Sequence, residues 1–275
     1  MRSRTINESH RPEMPTSPTI LALGGAHIDR RGQVSGTYVP AASNPGMMRE
    51  DVGGVVFNAL RSVVKRGVSA SLISVRGGDA AAETVASAID NAGIADLSVV
   101  FLDRTTPSYT ALIDAEGELI VGLADMGLYD LAFPKQIRRA KVREAIAAAD
   151  AILCDANLPT TALERLVALA GVRRVGLNAG VVTAGSAPVL AFDDAGIFEI
   201  DPPAPRQVAD VTGAGDALTG ATVAALLRGL PLRAALREGV AAAMLAIESP
   251  QAVPSFTIAN FTQALALVPE AREVA

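Results

Sequence analysis

The sequence predicts an α/β protein: a mainly parallel sheet covered by helices on both faces, with a small β lid. Three observations predict it. From residue 19 to about 179, short apolar runs alternate with amphipathic stretches of helical period, the pattern of parallel strands joined by covering helices. Two strand-like runs flanking "AEG" at 115–117 break that alternation and read as a hairpin. The last third is almost all helical in pattern. A length of 275 residues suits one large domain or two small ones; we assign one, spanning 19–275, with lid strands within 33–51 and 98–125.

Each element has its own signal. Residues 1–18, "MRSRTINESHRPEMPTSP", are polar and aperiodic, so a disordered tail is expected. "TILALGG" (19–25) reads as a buried first strand feeding a loop. Residues 33–51 read as short strands broken by "SNPG". "GGVVFNALRSVVKRG" (53–67) is an amphipathic helix bounded by glycines. "SASLISV" (69–75) is a strand, and "DAAAETVASAIDNAG" (79–93) a helix with Asp79 as N-cap and Gly93 as stop. Helix "KVREAIAAAD" leads to strand "AILCD", and helix "TALERLVALAG" to strand "RRVGLNA". "IFEI" is a further strand. Three helices close the chain, and Pro231 opens the second of them.

Composition narrows the function. Half the residues are hydrophobic but aromatics are few and tryptophan is absent, so the core is built from Ala, Val, Leu and Ile. A net charge of −5 argues against a nucleic-acid partner. No apolar run reaches the roughly 18 residues of a membrane span, and no apolar segment follows the early arginines as a secretory signal requires. A cytoplasmic protein is expected. Cys154 is the only cysteine, and it reads as a buried small hydrophobe, not a nucleophile. His10 and His27 are too few for a His/Cys zinc site.

The chemistry is carried by "DVTGAGDALTG", Asp210 to Gly220. If Thr212, Gly213, Ala214 and Gly215 form the first turn of a helix, their unpaired N–H groups and the helix dipole make an anion site. The small residues let a phosphate approach. Asp216 would repel that phosphate, unless its task is to take a proton from a hydroxyl beside it. Backbone donors, a carboxylate base and a hydroxyl are the parts of a kinase. The bland alternative is a glycine-rich helix start with an acid complementing the dipole. A second group of residues shifts the balance. "GGAHID" puts Asp29 in the loop after the first strand, and "GGVVFN" puts Gly53, Gly54 and Asn58 at a helix start. Together they offer a carboxylate for hydroxyls, bare backbone and an amide.

These motifs resemble those of the ribokinase-like (PfkB) carbohydrate kinases, from about residue 19 to the C-terminus and in the same order. Within that family the chain is similar to pseudouridine kinases, through "SNPG" at 43–46, "TTPSYTALIDAEGELIVGLADM" at 105–126 and "CDANLP" at 154–159. The resemblance implies Asp216 as catalytic base on a 5′-hydroxyl, and Gly213, Ala214 and Gly215 as the anion hole for the γ-phosphate. It implies Asp29, Gly53, Gly54 and Asn58 around the ribose. Ser43, Asn44, Ser108, Tyr109 and Asp125 would read the base from lid or rim. Asp210 would hold a monovalent cation such as K+. The donor would be ATP, its Mg2+ held mostly by phosphates and water. A homodimer through the lid strands is also implied.

The chain departs from the family at three places. Phe57 stands where pseudouridine kinases carry arginine, which removes a bidentate donor. His27 replaces an asparagine, and reads as a polar loop residue. Relatives also carry an Asn-x-x-Glu segment that organises magnesium and phosphate, followed by a further helix and strand. No Asn-x-x-Glu occurs here. The shortening falls between about 179 and 209, with the seam expected near Leu190–Ala191. Three functions therefore stay open: an active nucleoside kinase making pseudouridine 5′-phosphate; a weak or silent nucleoside-binding relative; and a sugar kinase of ribokinase or fructokinase type. The intact "TGAGD" favours the first, because a silent relative has no physical need of the base.

Overall fold

A computed structural model describes residues 18–170, 179–251 and 253–274. The N-terminal tail and most of the strand expected at "RRVGLNA" lie outside the described residues. The chain opens with β1 (Thr19–Leu23), β2 (His27–Val34), β3 (Gly46–Gly53), α1 (Val55–Val64), β4 (Ser69–Ile73) and β5 (Val75–Gly77). Next come α2 (Ala80–Asn91), β6 (Ala95–Asp96), β7 (Val99–Phe101), β8 (Ser108–Ile113) and β9 (Leu119–Asp125). The middle holds α3 (Gly127–Gln136), α4 (Ala140–Ala148), β10 (Ala151–Cys154), α5 (Thr160–Leu169), β11 (Gly180–Val182), β12 (Val189–Asp193) and β13 (Gly196–Ile200). The chain ends with α6 (Ala214–Leu227), α7 (Leu232–Ile247), α8 (Ile258–Leu267) and β14 (Arg272–Glu273).

The core sheet is parallel, in the order β10-β1-β4-β6. β1 is buried on both faces because its side chains alternate between two cores. Ile20 and Ala22 pack with Phe57, Leu60 and Val63 of α1, Val85 and Ile89 of α2, and Ala224 of α6. Leu21 and Leu23 pack on the other face with Phe133 of α3, Val142 and Ile146 of α4, and Ala162 and Leu166 of α5. This is why five residues with no polar group beyond Thr19 suffice to mark β1. Asp79 caps α2 as expected, accepting from the Ala82 N–H. It also accepts from the Thr106 N–H, which ties the chain entering β8 to the head of α2.

The lid is a separate sheet in the order β3-β2-β8-β9. It begins at His27, earlier than expected, and Val99–Phe101 pairs with β5 instead of joining it. Asp29 and His27 therefore lie in a strand, not in the loop after β1. The hairpin around "AEG" forms as read, β8 against β9.

β12 runs unbroken through Leu190–Ala191, paired to β11 on one side and β13 on the other, so the residues flanking the expected seam form one continuous strand. β11, β12, β13 and β14 form an antiparallel sheet that packs Val189, Ala191, Phe198 and Ile200 against α6, α7 and α8. Cys154 is exposed at the C-terminal end of β10, not buried. Partial burial, and then the neighbouring Asp155 carboxylate, push its thiol pKa up, so it remains a poor nucleophile. No helix among the described residues is long and apolar enough to cross a membrane.

Candidate active site

The site forms where α1 and α6 meet above the carboxyl ends of β1 and β10. Strand order reverses here, since β4 lies on one side of β1 and β10 on the other, and open α/β sheets place their crevice at such a point. α1 packs closely on α6: a side chain at Gly220 would overlap the Ala59 carbonyl oxygen and come within 2.7 Å of Ser62 Cβ. That approach brings Asn58 Nδ2 to 3.1 Å from Asp216 Oδ2, to which it donates.

Asp216 sits in the first turn of α6, behind Gly213, a left-handed N-cap at φ 80°. In that turn the Ala214 N–H donates to Val211 O at 3.3 Å and the Ala217 N–H to Gly213 O at 2.8 Å, so the Ala214 N–H expected in the anion hole is already engaged. The N–H groups of Gly215 and Asp216 have no partner among the described residues. A Cβ at Gly215 would meet nothing within 4 Å, so the space over this helix start is open. Burial raises the Asp216 pKa to about 6, helped by the charges of Asp155 and Asp29 and opposed by the Asn58 bond.

On the lid side, Asp29 leans against Gly53: any side chain there would overlap Asp29 Oδ2. Gly54 is the N-cap of α1 at φ 119°, a conformation open to glycine, and a Cβ on it would overlap the Gly25 carbonyl oxygen. Glycine at position 54 is thus a steric requirement of the cleft wall, whereas a side chain at position 53 would fit only by displacing the Asp29 carboxylate. His27 Nε2 lies 3.2 Å from Asp29 Oδ1. His27 Nδ1 lies 3.2 Å from the Tyr129 hydroxyl, which itself donates to the Ala26 carbonyl at 3.3 Å. Burial holds the Tyr129 phenol well above its ordinary pKa, so it stays a donor. His27 is therefore a buried-side support for Asp29, not a polar loop residue.

Asp29, Gly53, Asn58, Asp210 and Thr212 line one cleft of about 670 Å³, together with Arg31, Arg49, Arg61 and Lys65. Asp210 Oδ1 accepts from the Thr212 N–H at 2.8 Å and Oδ2 from Arg31 Nη1 at 2.7 Å. Burial opposes the charge of Asp210, but these donors hold its pKa below the usual carboxylate range. Tyr109 is the register partner of Asp29 and shares its face of the lid. Ser108 and Asp125 register with Ile28 and with each other, on the opposite face. Ser43 is exposed in the loop between β2 and β3. The Asn44 amide is turned back on the same loop, bonded to the Val39 N–H and carbonyl. The cleft thus brings together Asp29, Gly53, Asn58, Asp210 and Thr212, and of the lid and rim residues singled out in the sequence only Tyr109 lies on the Asp29 face.

Sequence reading missed Asp155, Arg31, Tyr129 and Arg61 as parts of the site. Asp155 follows the last residue of β10 and acts on Asp216 through its charge. Its position at the carboxyl end of a strand beside β1 was a usable signal. Arg61 lies one turn after Phe57, with its guanidinium 5.5 Å from the Phe57 ring centroid and 3.4 Å from Asn58 Oδ1. The i, i+4 spacing made that contact foreseeable.

A glycine-walled cleft, an open helix start and a half-buried carboxylate at its first turn define a ribokinase-like carbohydrate kinase. The chain belongs to the PfkB family. The model of that family, described as pfkB family carbohydrate kinase, matches residues 151–259. A carbohydrate kinase from Agrobacterium tumefaciens is 38% identical, with 92% of this chain and 99% of that one covered and a TM-score of 0.81. The pseudouridine kinase of Escherichia coli K12 is 25% identical over 298 residues, covering 88% of this chain and 94% of that protein. The ribokinase of Arabidopsis thaliana, solved with ribose and ATP, has the same fold at 18% identity and a TM-score of 0.70, over 91% of this chain and 99% of that one. An alignment of 298 residues exceeds the 275 of this chain, so it opens gaps here, in keeping with a shortened family member.

Proposed function

We propose that this chain is an ATP-dependent kinase that phosphorylates a nucleoside hydroxyl, with pseudouridine the foremost acceptor. The observation that carries the reading is Asp216: a carboxylate of pKa about 6 in the first turn of a helix whose N–H groups are open. Near neutral pH it is mostly ionised and still basic enough to take a hydroxyl proton as the bond to phosphorus forms. The Gly215 and Asp216 N–H groups and the α6 dipole face the developing phosphate charge. Asn58 orients the carboxylate, and Asp29, held by His27 against Gly53, accepts from the sugar hydroxyls. The open helix start fits the phosphates of ATP. Magnesium, when bound, neutralises charge between the phosphates. No group of three or more metal-ligating side chains occurs among the described residues, so it would enter with the nucleotide.

The choice of pseudouridine rests on the likeness to pseudouridine kinases and on the relative of that name. A second reading, a weak nucleoside-binding relative, draws on the missing Asn-x-x-Glu and on the absence of a helix among the described residues between α5 and α6. We further propose a homodimer through the lid. Met48, Val121 and Leu123 are 59%, 50% and 68% exposed on the lid face opposite Asp29, an apolar patch of the kind that marks an interface. A panel of nucleosides and sugars with Mg-ATP, read by product mass, separates the readings. A 5′-monophosphate from a nucleoside alone supports the first, binding without product the second, and product from ribose or fructose a sugar kinase.

A further inference from the structure

The family resemblance implies a monovalent cation at Asp210, and the residues present do not fit one. Both carboxylate oxygens are engaged: Oδ1 by the Thr212 N–H and Oδ2 by Arg31 Nη1, at 2.8 and 2.7 Å. Arg31 Nη2 reaches Thr212 Oγ1 at 2.5 Å, so one guanidinium spans both residues. Arg31 comes from β2, about 180 positions earlier in the chain, two residues after Asp29 and on the same face. A fixed positive charge already stands at the carboxylate, and a second cation there would be repelled by it.

We propose that Arg31 is the resident cation of this site. Its guanidinium does from the lid what a monovalent ion would do from solution: it neutralises Asp210 and fixes the Asp210–Thr212 turn that delivers Gly213 to the head of α6. Two further consequences follow. The cradle is independent of K+, and its geometry is coupled to the lid strand that carries Asp29. Arg31 is thus a positioning residue, acting on the phosphate cradle through Asp210 and Thr212. A planar guanidinium suits the task, since it can bond a carboxylate and a hydroxyl at once.

The inference rests on the kinase reading for its meaning, but its test does not need turnover. Crystals of the wild type and of Arg31→Gln are soaked in thallous acetate, thallium serving as the K+ probe. The melting temperature is followed in KCl and in tetramethylammonium chloride at matched ionic strength. The wild type is expected to show no thallium at Asp210 and the same melting temperature in both salts. Arg31→Gln is expected to bind thallium at Asp210 and to melt higher in KCl. Where turnover is measurable, the variant loses about tenfold in tetramethylammonium, the scale of one charge-assisted bond, and recovers in KCl, a rescue that a merely structural arginine would not give. Thallium at Asp210 in the wild type overturns the proposal, and this arm stands even where the variant does not fold. Thallium absent from both proteins, or a variant with no salt dependence, overturns it as well.

Discussion

Asn58 Nδ2 donates to Asp216 Oδ2 at 3.1 Å across the contact between α1 and α6. Asn58 is 5% exposed, so the amide is held by packing and not by solvent. The bond favours the charged carboxylate while burial disfavours it, and burial prevails, leaving the pKa at about 6. The rate should therefore rise with pH. A plot of log kcat/KM against pH is expected to have an acid limb with an apparent pKa near 6. Asn58→Ala removes the hydrogen bond that favours the charged carboxylate, so the limb should move to higher pH, with a fall in kcat at neutral pH.

The same shift has a stability consequence. The folded state keeps a proton on Asp216 up to about pH 6, whereas the unfolded state has lost it near the ordinary value of 3.8. The contribution of this group therefore falls as pH rises through that window and is least favourable above it. Asp216→Asn should stabilise the protein at pH 8 by about 1–3 kcal/mol while removing turnover. Urea unfolding at pH 8 and at pH 4 checks this, and the difference between variant and wild type should shrink at the lower pH.

Gly53 gives the cleft wall its shape. A methyl group there would displace the Asp29 carboxylate. Gly53→Ala should raise the acceptor KM by about tenfold or more, an amount in line with a misplaced binding group. The KM for ATP should change little, because the α6 cradle is untouched. Steady-state kinetics with each substrate varied in turn measures the two effects separately.

His27 supports Asp29 through Nε2 and is itself held by Tyr129. His27→Ala should raise the acceptor KM by about three- to tenfold, the worth of one hydrogen bond. The Tyr129 hydroxyl keeps its bond to the Ala26 carbonyl, so the loss of stability should be modest. A melting curve beside the kinetics distinguishes this from general unfolding.

The lid proposal makes a separate claim. Leu123 is 68% exposed on β9, and Leu123→Asp would put a charge within the apolar patch. Sedimentation should show a dimer for the wild type and a monomer for the variant. A monomeric wild type would remove the proposed interface.

Much of this arrangement was legible in the sequence where neighbours in the chain carry the function. The head of α6 is contiguous, so "TGAGD" displays its small residues and its acid together. Capping at Asp79 and the stop at Gly93 were legible for the same reason: both are local. β2 was misread because "HIDRRGQV" is mostly polar. One face of this strand lines a charged cleft, so it lacks the apolar run of a buried strand. α3 was missed because "GLYDLAFPKQ" has almost no one-sided apolar stripe and carries Pro134 inside the helix. The bond from Arg31 to Asp210 spans about 180 positions, and no local pattern encodes such a pair. Tertiary packing alone brings it about.

The central claim is that Asp216 drives phosphoryl transfer to a nucleoside. The most direct measurement incubates wild type and Asp216→Asn with Mg-ATP and pseudouridine and reads the product by mass. The wild type is predicted to yield pseudouridine 5′-phosphate, and Asp216→Asn about a thousandth of that or less, the scale of losing a catalytic base. Undiminished product from Asp216→Asn, or no phosphorylation of pseudouridine or any other nucleoside by the wild type, would contradict the account.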